Sequence, residues 1–265
     1  MKRRAGLALI LLIVCAGLVL GCADSRPGQM GGGRTLRVLF VGNSHTYVND
    51  LPWLVEQLAA SAEEGRRLET GMIAEGGATL RGHWEAGRAR EAIRTGHWDF
   101  VVLQEQSAMP LNQPDVTREY ARLFDSEIRR SGARTVLYLA WARQSRPETQ
   151  AALTSTYTDI ARELDAELAP VGVAWQAALR ENPKLALYAA DGGHAAPAGS
   201  YLAACVFYSL FYGKSPEGLG RRLFSTQFGT ARGGSRVGVE ALSESHARTI
   251  QAAAWRAISE TRDGK

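Results

Sequence analysis

The sequence predicts an α/β domain built on a parallel sheet wrapped by helices on both faces. Two patterns carry that prediction. Short runs rich in Val and Leu, such as "TLRVLFV", "DFVVLQE" and "RTVLYLAW", lack the polar alternation of a strand with one wet face, so they read as strands buried on both sides. Longer stretches with apolar residues at helical spacing separate them, which is the alternation that a parallel sheet with crossover helices produces.

The elements follow in order. The first strand, residues 35–41, leads to a helix from Leu51 to Glu64, with Asn49 or Asp50 as its cap and Pro52 in the first turn, where a missing N–H does no harm. A strand is expected near 68–74, a helix over 82–96, a strand over 99–105, and a helix over 114–132 that Gly132 closes. The strand 134–141 and a helix from about Arg146 to Leu164 come next, and "AELAPVGVAW", residues 166–175, reads as a shorter strand or extended segment. The last third is mainly helical, with a helix starting near Pro197 and a loop-rich stretch over 214–237. A closing helix with Leu242, Ile250, Ala254 and Ile258 on one face is expected to pack on the sheet. There is no internal repeat.

The N-terminus predicts export. Lys2, Arg3 and Arg4 precede an apolar run too short and wrongly flanked for a stable membrane span, the pattern of a secretory signal. The run closes on Val19-Leu20-Gly21-Cys22, which resembles a bacterial lipobox, where the cysteine is acylated; the alternatives are an ordinary signal peptide or an uncleaved anchor. Residues 1–21 are therefore read as a lipoprotein signal peptide, 22–34 as a flexible Gly-rich tether, and 35–265 as one domain. Loss of the leader lowers the basic count from 31 to 28 against 27 acidic residues, so the net charge falls from +4 to +1. Nothing in that balance calls for nucleic acid. Cys15 leaves with the leader and Cys22 carries lipid, so Cys205 alone remains and neither a disulfide framework nor a cysteine metal site is available.

The stretch "LFVGNSHTYVNDLP" places Ser44 just past the first strand. In an open parallel sheet that edge is where ligands bind. A serine hydroxyl needs a base, and His194 is the candidate: it lies in "DGGHAAP", three residues after Asp191 across two glycines and just before a helix, so the carboxylate can fold back onto the ring and hold its tautomer. His45, His83, His97 and His246 read as packing, rim or surface residues. Gly213-Lys214-Ser215 lacks the leading glycine of a phosphate loop and follows an apolar helix, and no metal-ligand spacing occurs. Trp141, at the end of the fourth strand, faces the same edge and is a candidate cleft wall.

Gly42-Asn43-Ser44 and Asp191-Gly-Gly-His194, in that order across residues 35 to about 213, resemble the SGNH hydrolase superfamily of GDSL esterases and lipases, with Asn43 in place of the family's Asp. The resemblance implies a three-layer, flavodoxin-like doubly wound parallel sheet. It also implies Ser44 as nucleophile, His194 as general base and acid, and Asp191 as its orienting partner. The oxyanion hole of the family maps onto the Ser44 backbone N–H and Gly77 of "AEGGATL". In the third block the chain departs, since Gln104-Glu105-Gln106-Ser107 stands where the family has Gly-x-Asn-Asp; Gln106 is the replacement for the asparagine, with Gln104 in reserve. The second glycine of a G-x-S-x-G elbow is absent, which argues against the α/β-hydrolase fold.

The expectation is an envelope-anchored serine esterase without cofactor or metal, acting on a small-molecule or carbohydrate ester, such as an O-acetyl group. Its contacts are substrate and, through lipid on Cys22, a membrane facing the periplasm or exterior; its oligomeric state is open. An acyltransferase using the same residues, and a glycan- or envelope-binding lipoprotein with a degenerate site, are the rival readings.

Overall fold

The computed structural model describes residues 34–62, 66–226, 236–239 and 241–263. The leader, Cys22 and the tether up to residue 33 lie outside the described residues.

Five strands form one sheet: β1 (Leu36–Gly42), β2 (Leu68–Ala74), β3 (Phe100–Leu103), β4 (Arg134–Tyr138) and β5 (Glu167–Ala169). All pair in parallel, in the order β2-β1-β3-β4-β5. The helices are α1 (Ser44–Tyr47), α2 (Leu51–Ser61), α3 (Leu80–Ala86), α4 (Arg88–Thr95), α5 (Met109–Asn112), α6 (Pro114–Arg130), α7 (Gln150–Leu164), α8 (Val171–Glu181), α9 (Pro197–Tyr212) and α10 (Glu244–Asp263). An antiparallel pair, β6 (Leu223–Thr226) and β7 (Arg236–Val239), stands apart from the main sheet.

β1 shows why the sheet is doubly wound. Val38 and Phe40 belong to a core shared with α2, α8, α9 and α10, whereas Leu39 and Val41 enter a second core with α3, α4, α6 and α7. Successive strand side chains point to opposite faces, so a run apolar at every position needs helices on both sides. α9 lies deepest, with every residue from Ala198 to Phe211 buried. This is the three-layer architecture that the sequence pattern and the family resemblance imply.

Several local expectations are corrected. The helix expected over 82–96 is two helices, α3 and α4, because Gly87 adopts φ 79° between them and caps the first. The helix expected from Arg146 starts with a 3-10 turn at Pro147–Thr149, and α7 itself begins at Gln150. Only three residues of 166–175 are strand: Pro170 has no N–H for the ladder, and from Val171 the chain is helical, with Trp175 inside α8. Within 214–237 the described residues include β6 and the start of β7, not loop alone. α10 packs on α8 and α9 instead of the sheet, since α9 already covers that face.

Neither predicted cap acts as one on α2. Asp50 occupies the cap position at φ 51° without a side-chain capping bond. Asn49 Nδ2 instead donates to Ala195 O at 3.2 Å and Ser200 Oγ at 2.9 Å, tying the segment after the serine to the start of α9.

Candidate active site

The strand order reverses between β1 and β3, whose carboxyl ends therefore flank a crevice. Ser44 sits there, at the first position of α1, with Asn43 as cap accepting from His45 N at 3.2 Å. Gly42 is required by crowding: a Cβ at that position would stand 2.4 Å from Thr46 Oγ1 and 2.6 Å from Gln104 Oε1. The same glutamine oxygen accepts from Asn43 N at 2.8 Å and Thr46 Oγ1 at 3.0 Å, so the end of β3 holds the β1–α1 turn in place.

His194 and Asp191 arrive from the turn before α9. His194 Nε2 lies 2.8 Å from Ser44 Oγ, and Nδ1 lies 2.5 Å from Asp191 Oδ2. A carboxylate accepts only, so Nδ1 carries the proton and Nε2 is free to accept from the serine hydroxyl. Asp191 Oδ1 accepts from the N–H groups of Gly193 and His194, both at 2.9 Å. The His194 ring, followed by those two N–H groups, holds the Asp191 carboxyl well below the usual carboxylate range.

The turn is fastened by Trp141, whose Nε1 donates to Gly193 O at 2.9 Å, and by Gln144 N, which donates to Gly192 O at 2.9 Å. Trp141 is 3% exposed and stacks on Trp175 at 4.1 Å and on His45 at 4.8 Å. His45 in turn meets His194 edge-on at 5.6 Å. Burial, followed by the positive charges of His194 and Arg143, pushes His45 down to about 3, so its ring stays neutral beside the serine. His83 is also buried and kept below its ordinary value by desolvation; its ring nitrogen lies 2.7 Å from Gly42 O and donates to that carbonyl.

The remaining predicted residues separate into two groups. Gly77, at φ 70°, lies on the exposed loop after β2, and Asn43 Nδ2 ties that loop to the serine by donating to Ala78 O at 2.9 Å. Gln106 follows β3, half-buried, with its Oε1 accepting from Ala108 N at 2.8 Å, which leaves the amide N–H₂ as its donor. Gln104 does not fit the reserve role. It is fully buried, its Oε1 accepts from two groups, and its Nε2 donates to Glu105 O at 2.5 Å, so the amide is spent on structure.

Sequence reasoning missed Glu105. Its Oε1 accepts from Leu80 N at 3.1 Å and Gln106 N at 2.6 Å, which bridges the start of α3 to the third block while burial raises its carboxyl. The signal was available: two polar residues ending an apolar strand demand partners at its end. Among the described residues no three His, Cys, Asp or Glu side chains converge as a metal site.

No protein-family model and no curated protein matches the chain. Solved structures do. A protein from Slackia heliotrinireducens described as an SGNH hydrolase is 27% identical, with a TM-score of 0.59 over 67% of this chain and 99% of that one. The chain is therefore similar to SGNH hydrolases in fold. The fold is shared with structures of lower identity: a DUF4886-family protein from Bacteroides uniformis at 18% identity has a TM-score of 0.63 over 85% of this chain and 95% of its own. An acetyl xylan esterase at 14% identity has a TM-score of 0.56 over 66% and 99% respectively.

Proposed function

We propose that this chain is a serine esterase of the SGNH type that works through an acyl-enzyme. The observation that carries the reading is the 2.8 Å contact of Ser44 Oγ with His194 Nε2, whose other ring nitrogen is held by Asp191. Ser44 Oγ attacks the ester carbonyl carbon while His194 Nε2 takes its proton; Asp191 holds the ring and stabilises the imidazolium. The negative charge that develops on the carbonyl oxygen is met by the N–H groups of Ser44 and Gly77 and by the Gln106 amide. Collapse expels the alcohol, which takes the proton from His194, and water then repeats the sequence on the acyl-serine.

The substrate class we favour is a short acyl ester, an O-acetyl group on a carbohydrate included, because the similar fold of an acetyl xylan esterase accommodates that chemistry. Cys22 and the leader make the proposed location the bacterial envelope, with the domain tethered outside the cytoplasm. p-Nitrophenyl acetate hydrolysis by wild type and Ser44→Ala, with fluorophosphonate labelling of both and of His194→Ala, tests the reading. Turnover and labelling that vanish with Ser44 support it. Equal labelling of all three proteins sinks it.

A further inference from the structure

A cleft of about 390 Å³ opens beside the serine site on the β4 side. Trp141, Arg143 and Arg146 line it from the loop after β4, with Ser107 from beyond β3 and Leu111 and Asn112 from α5. Trp141 borders both regions, since the same indole stacks on His45 and donates to Gly193. The loop bearing Arg143 is thus bound on either side of that arginine, through Trp141 and Gln144, to the turn that carries Asp191 and His194. The guanidinium lies against Gly193, where an added Cβ would stand 3.3 Å from Arg143 Nη1.

Arg143 differs from the other arginine of the cleft in what it pairs with. Arg146 is engaged by Glu148 at 2.9 Å. Arg143 is exposed and makes no ion pair or side-chain hydrogen bond among the described residues. The nearby Asp191 carboxylate already accepts from the His194 ring and from two backbone N–H groups. Among the described residues no acidic side chain lines the cleft, so Arg143 leaves it positive, and its floor, at Trp141 and Leu111, is apolar. An unpaired guanidinium fork above an apolar floor matches a carboxylate attached to a carbon skeleton.

We propose that Arg143 reads a carboxylate on the substrate, making the preferred ester an anionic one seated in this cleft. Ser107 and Asn112 offer hydrogen bonds to polar groups on the same skeleton. The inference rests on the esterase reading for its chemistry, but the subsite can be tested without turnover.

Two substrate pairs tell whether the carboxylate belongs to the acyl or the alcohol part. p-Nitrophenyl hexanoate and mono-p-nitrophenyl adipate differ on the acyl side; para-acetoxybenzamide and para-acetoxybenzoate differ on the alcohol side. Wild type is expected to favour the anionic member of one pair in kcat/KM. Arg143→Gln should cut that anionic-to-neutral ratio about 10- to 100-fold, mainly through KM, with Arg143→Lys restoring part and added salt weakening the preference. A ratio that Arg143→Gln leaves unchanged in both pairs overturns the proposal. Calorimetric binding of the same compounds to Ser44→Ala, with and without Arg143→Gln, separates the two readings. Arg143-dependent preference for the anion in that protein, without any Ser44-dependent turnover in wild type, would remove the esterase and keep the subsite; equal binding of anionic and neutral members removes the subsite.

Discussion

The indole Nε1 of Trp141 donates to the carbonyl of Gly193 across 2.9 Å, joining the end of β4 to the turn that presents Asp191 and His194. Because the indole is buried and stacked on both sides, the position of the turn depends on a rigid neighbour and not on its own two glycines. Trp141→Phe keeps most of the stack and removes the donor. It is expected to cost about 1 kcal/mol of stability and to lower kcat for p-nitrophenyl acetate several-fold, as seen by urea unfolding and initial rates.

Asp191→Asn should be far more damaging to rate than to folding. The carboxylate is half-exposed, so its salt link contributes little to stability, but an amide donating to Nδ1 would force the proton onto Nε2 and block acceptance from Ser44. A fall in kcat of about a thousandfold, with the melting temperature nearly unchanged, is the expected result. A loss of less than about tenfold would argue against the assigned orientation of His194.

The two glutamines after β3 should separate cleanly. Gln104→Leu leaves Asn43 N–H and the Thr46 hydroxyl without their buried acceptor, a cost of about 2 to 5 kcal/mol read in denaturant unfolding. Gln106→Ala should lower kcat about a hundredfold with much less effect on stability, because its amide is the proposed oxyanion donor. The reverse pattern would return the donor role to Gln104.

Acid should destabilise the fold through histidines that the fold holds neutral. His45 is held at about 3 against an ordinary 6.5, so the unfolded chain binds a proton that the folded chain refuses. Stability is therefore lost as pH falls below 6.5 and the loss levels off near 3, with a limiting slope of ~1.4 kcal/mol per pH unit from this group. His83 acts in the same direction. Unfolding curves taken from neutral pH to about pH 4 should show a shallower decline in His45→Phe, which keeps a ring on Trp141 but cannot protonate.

The sheet was legible in the sequence because burial on both faces suppresses polar alternation, and that is a local property of residues such as Val38 to Val41. Ser44, His194 and Asp191 were legible for a similar reason: a strand end, a pair of glycines and a three-residue spacing constrain chemistry within short segments. The boundary between β5 and α8 was not, since "PVGVAW" is apolar in either conformation and only Pro170 and the packing of Trp175 against Trp141 choose the helix. Which glutamine is free to donate was not legible either, because it depends on partners supplied by Asn43 and by Thr46 of α1, some 60 residues earlier. The sequence by itself determined which residues could do the chemistry. Only the tertiary structure decided which of them are occupied elsewhere, as Gln104 is, and left Arg143, which no motif singles out, facing the cleft, because hydrogen-bond and ion-pair partners are assigned by contacts between distant segments.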